Sequence, residues 1–140
     1  MIQQGLTNSF KQQMLQAGQN LATDTLKMAL YTAFADLGPT TTAYSTTNEI
    51  TGTGYTAGGA AVTGATISVD TQTSTVYVNF NNVSWPGANF TARGALIYNV
   101  TRGNASVAIL DFGSDKLFTT ANNTVTMPAN TATTALIRFP

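Results

Sequence analysis

Residues 90–112 read FTARGALIYNVTRGNASVAILDF. Residues 90–98 (FTARGALIY) have the composition of a strand, and Asn99 to Asn104 (NVTRGN) are turn formers. Residues 105–112 (ASVAILDF) are almost continuously apolar, as in a strand buried in the middle of a sheet. Gly94, inside the first strand, predicts a bulge or the close approach of another backbone. Arg93 lies in a stretch otherwise fit for burial. Its expected use is an ion pair across strands with Asp111; the other use is a carboxylate on a partner.

The same short-strand pattern extends outward from this stretch. Downstream, Gly113 to Lys116 reads as a turn, and residues 117–119, 123–127 (NTVTM) and 133–139 (TTALIRF) read as strands. Upstream, a short VSW strand precedes the Pro86-Gly87 turn. Residues 61–69 (AVTGATISV) and 74–80 (STVYVNF) flank the turn residues Asp70 to Thr73, which signals a hairpin. Leu26, Met28 and Leu30 alternate with Lys27, Ala29 and Tyr31 in a strand over residues 25–33. About eight strands separated by Gly, Asn and Pro clusters predict a mainly β chain, a jelly-roll-like β-sandwich. The reading is of one domain over residues 1–140, with the sandwich strands in 60–140.

Two segments depart from this pattern. Leu6, Phe10, Met14, Ala17 and Leu21 recur at helical steps, so one amphipathic helix is expected over residues 8–17, capped by Thr7 or Asn8. Its narrow Phe10/Met14 stripe fits the chain's own sheet or a partner subunit. Residues 39–59 (PTTTAYSTTNEITGTGYTAGG) form a long polar stretch. Tyr44, Ile50 and Tyr55 within it favour an extended arm lying over the domain or over a neighbour. Phe10, Met14, Tyr44, Ile50 and Tyr55 are therefore the candidate interface residues.

Composition narrows the function. Of 140 residues 26 are Thr, with 12 Asn and 12 Gly, while only 9% are charged, against roughly 25% in an ordinary domain. The polar surface must be built from hydroxyls and amides. His and Cys are absent, which removes Ser-His-Asp and Cys-His nucleophile systems and the common zinc, haem and iron–sulfur ligand sets. Six cationic residues balance six anionic ones with no basic run, so no direct nucleic-acid contact is expected. No apolar run approaches membrane-spanning length, and MIQQGLTNSF lacks the pattern of a secretory signal.

No cofactor, metal or catalytic site is expected from the carboxylates Asp24, Asp36, Glu49, Asp70, Asp111 and Asp115. Asp111 and Asp115 in DFGSD read as a strand end with an Asx turn rather than a calcium loop. Five Asn-X-Ser/Thr triplets follow from the richness in Asn and Thr. Trp85 reads as a core residue, with stacking on sugar rings as the alternative.

The stretches NSFKQQML, DTLKMALYT, AYSTTNEITGTGYTAGG, VSW, ARGALIYN and VAILDFGSDK occur in an order that resembles a family of small tailed-bacteriophage virion proteins. The resemblance runs from about Thr7 to Arg138 and rests on chain-wide pattern, with no catalytic motif to carry over. It implies a non-enzymatic capsid cement or decoration protein on the outer capsid surface of the virion. Its partners would be the major capsid protein and further copies of itself, as a homodimer or homotrimer. A tail, fibre or head–tail connector component, or a glycan-binding module on the virion, is the alternative.

Overall fold

The chain is mainly β, and the computed structural model describes all 140 residues. Its elements are β1 (Gly5–Leu6), α1 (Asn8–Leu15), β2 (Leu26–Tyr31), β3 (Ala60–Val62), β4 (Thr66–Asp70), β5 (Thr75–Asn79), β6 (Val83–Ser84), β7 (Phe90–Asn99), β8 (Ala105–Phe118), β9 (Thr124–Val125) and β10 (Ile137–Phe139). The ladders between these strands are antiparallel. They build a five-stranded sheet in the order β1-β8-β7-β2-β3, a three-stranded sheet β10-β5-β4 and a two-stranded ribbon β6-β9.

The five-stranded sheet is covered on both faces. On one face Met28, Ile97 and Val107 join a cluster with Val78 and Ile137 of the three-stranded sheet, Val83 and Val125 of the ribbon, and Phe10 of α1. On the other face Ala29, Tyr31, Leu96, Tyr98 and Ile109 pack under Ile2, Leu37 and Tyr44. This double burial is why 105–112 is apolar without alternation. The layers are sandwich-like, but the strands divide five, three and two.

Several elements differ from expectation in detail. The expected strand 61–69 is two strands in two sheets, β3 and β4. Gly64 sits between them at φ +70° with its backbone pressed against the Asn81 side chain, so the chain turns from one layer to the other there. The turn expected at Gly113–Lys116 is a large bulge within β8 rather than its end. Residues 112–115 oppose the single residue Arg93 between the pairs Gly94↔Asp111 and Ala92↔Lys116. Gly94 fulfils both halves of its expectation. It borders this register shift, and a Cβ on it would lie 2.6 Å from the Leu110 carbonyl oxygen.

The helix ends at Leu15, short of residue 17. Thr7 is the N-cap, its Oγ1 accepting from the Phe10 N–H at 3.2 Å. At the other end Ala17 takes φ +55°, and the Gly18 N–H donates to the Gln13 carbonyl at 2.7 Å. This is a Schellman closure with Ala where Gly is usual. A buried polar network then ties this segment to the sheet. Asn99 Nδ2 donates to Gln19 Oε1 at 3.0 Å and to Asp24 Oδ2 at 2.8 Å. Arg102 Nε donates to the same Asp24 oxygen at 2.9 Å. Arg102 chiefly, with the Asn20 N–H and Asn99, holds the Asp24 carboxyl down at about 2, against the opposing effect of burial.

Candidate functional interface

The five sequence candidates do not form one surface. Phe10 is enclosed in the core and Ile50 is buried, so both pack inside the chain. Phe10 of the α1 stripe therefore serves the chain's own sheet, and Met14 packs against the same core only in part. The 39–59 arm likewise lies over its own domain. It is fixed by backbone bridges Ala43↔Ala105, Tyr31↔Glu49 and Thr53↔Asn89. Tyr44 stacks on Tyr98 with ring centroids 4.6 Å apart.

Glu49 is the hub of this arm. Its Oε2 accepts from the Tyr44 hydroxyl at 2.7 Å. Its Oε1 accepts from the Tyr55 hydroxyl at 2.6 Å and the Gly58 N–H at 2.7 Å. The Leu30 N–H of β2 donates to the Tyr55 oxygen at 2.9 Å, linking arm to sheet. Burial, then the Glu49 carboxylate, push the Tyr44 and Tyr55 phenols well above their ordinary value, so both remain donors. Tyr44 and Tyr55 are thus half-buried fasteners of the arm.

The other chemistry-bearing residues are also accounted for locally. Arg93 Nε donates to Asp111 Oδ1 at 3.1 Å, the cross-strand pair expected from sequence. The same oxygen accepts from the Gly113 N–H at 2.9 Å, an Asx turn opening the bulge. The Gly113 bond, then Arg93, lower the Asp111 carboxyl. Trp85 is 4% exposed and packs edge-on against Phe118 at 5.8 Å, so its ring is not presented to a sugar. Lys116 Nζ lies 4.8 Å over the Phe118 ring and donates to the Thr124 carbonyl at 2.7 Å. No helix is long and apolar enough to cross a membrane.

The feature left unpartnered is an overhang of the three-stranded sheet. Register places Ile137, Val78 and Ile67 in one cross-strand row, and Phe139, Val76 and Val69 in the next row on the same face. Ile137 and Val78 are buried, whereas Val76 is 38% exposed, Phe139 37%, Ile67 50% and Val69 64%. The sheet runs past the core and carries its apolar face with it. Met14 of α1 and Leu21 join Ile67, Val76 and Phe139 around a groove of about 350 Å³. Of the five sequence candidates, Met14 alone borders it.

Sequence reading missed this row because Ile67, Val69 and Val76 alternate as core residues do. Their exposure depends on where the covering layer ends. A second exposed apolar group, Phe34, is 86% exposed on the turn after β2, where Asn48 Nδ2 donates to its carbonyl at 3.2 Å. Comparison with known protein families, curated proteins and solved structures finds no match to this chain.

Proposed function

We propose that this chain is a structural protein of a tailed-bacteriophage virion, a cement protein that binds the major capsid protein lattice on the outer capsid surface and stabilises the head. The observation that carries the reading is the exposed row Ile67, Val69, Val76 and Phe139 on a sheet anchored at its other end in the core. Apolar side chains held in a rigid frame favour docking, because little conformational entropy remains to be lost on contact. The rest of the surface suits many weak neutral contacts. Thr and Asn side chains supply hydrogen bonds worth about 0.5–1.5 kcal/mol each, little affected by salt. Repetition over a closed lattice multiplies them. The sequence resemblance to small phage virion proteins supplies the assignment to the head.

Heads assembled without the chain should release their DNA at a lower temperature than complete heads. Adding the purified chain back should restore the difference. Equal release temperatures with and without it would overturn the cement reading. Intact heads joined to defective tails would move the chain to the tail, fibre or connector.

A further inference from the structure

Strand β4 is the outer strand of the three-stranded sheet, and it pairs with nothing but β5. Its outward backbone groups form an open template for another strand. The other edges are short or blocked. β1 has two residues and β3 three, while β10 has three, includes Arg138 and is followed by Pro140. Strand β4 has five residues, TISVD, with no Pro, no Lys and no bulge. Protected edges normally carry one of those devices.

The sequence of β4 also fits itself. An antiparallel pairing of Thr66–Asp70 with a second Thr66–Asp70, centred on Ser68, sets Ile67 opposite Val69 and Thr66 opposite Asp70. The only charge on the strand would face a small polar side chain, and no like charges meet. Opposed residues point to the same face, so each exposed row is extended. Phe139, Val76 and Val69 of one copy would continue into Ile67, Val78 and Ile137 of the other. The overhang of each protomer would thus be aligned with the buried row of its partner.

We propose that the chain forms a two-fold dimer in which β4 pairs with β4 of a second copy about Ser68, joining two three-stranded sheets into one of six strands. A two-fold pairing is closed and leaves no further β4 edge to propagate. This deepens the proposed function, since it rests on reading the apolar row as a contact surface and names what occupies part of it.

The test uses the full chain, which has no cysteine of its own. In S68C the introduced thiols would face each other across the two-fold. Directly opposed residues have Cα atoms roughly 4.5–5.5 Å apart, inside the roughly 4.4–6.8 Å span of disulfides. In T66C the two thiols would be four residues out of register, roughly 13 Å apart. The expected result is a wild-type dimer in sedimentation velocity, disulfide-linked dimer from S68C under mild oxidation, and none from T66C. V69K, at a position already exposed, should retain the wild-type circular dichroism while weakening association about tenfold or more. A wild-type monomer would overturn the proposal, as would S68C that stays unlinked or T66C that links equally well. The virion reading fails separately, on head stability. A monomer that still protects heads would leave that reading standing and remove the β4 pairing.

Discussion

Asp24 and Glu49 each gather three donors, and pH acts on the two clusters through different groups: the Asp24 carboxyl in one and the tyrosines around Glu49 in the other. Asp24 is held at about 2, against an ordinary 3.8, mainly by Arg102. Its stabilisation is complete above the unfolded value and is lost as pH falls through about 2. Urea midpoints should therefore decline on acidification towards that value, and D24N should flatten the decline. The tyrosines around Glu49 give the alkaline counterpart. Their folded values are raised, chiefly by burial, so their contribution is present below roughly pH 10 and lost as pH rises beyond it. E49Q removes the charge that three donors share, and should cost about 2 kcal/mol in chemical denaturation. Ala17 offers the reverse case. It is exposed at φ +55°, so A17G should raise stability by about 1 kcal/mol. Single Trp85, buried against Phe118, reports each transition by its fluorescence.

At the scale of elements, the sequence was most legible where local pattern and tertiary role agree. Alternation marked β2, and the apolar run 105–112 marked the first part of β8. The Asp70 turn marked the β4–β5 hairpin, where Asp70 Oδ1 accepts from the Gln72 N–H at 2.9 Å. Gly94 marked the register shift between β7 and β8, and G94A should destabilise by about 1–3 kcal/mol because a Cβ there would lie 2.6 Å from the Leu110 carbonyl oxygen. The misses share a cause. Residues 61–69 keep a strand-like pattern across Gly64, although the chain changes sheets there. The DFGSD turn residues interrupt pairing without ending the strand. Of the two readings of the arm, over the domain or over a neighbour, the first holds through Tyr44, Glu49 and Tyr55, whose contacts only the folded chain brings together. Local sequence encodes turns and faces, whereas the layer that covers each face is a non-local fact.

For the whole molecule, the same distinction governs function. Alternation identifies Ile67, Val69, Val76 and Phe139 as one apolar face, and the structure adds that the covering layer stops short of them. That uncovered face, on a nearly uncharged chain rich in hydroxyls and amides, supports an assembly role. The paired variant V69K with V76K should fold as the wild type and fail to restore thermal resistance to heads that lack the chain. Placement on the capsid can be read from a cryo-EM map of the intact virion. Density of this size should repeat over the outer face of the capsid lattice, with the three-stranded sheet at a contact. A map with a bare capsid lattice, and this density confined to the tail or missing from the particle, would contradict that placement.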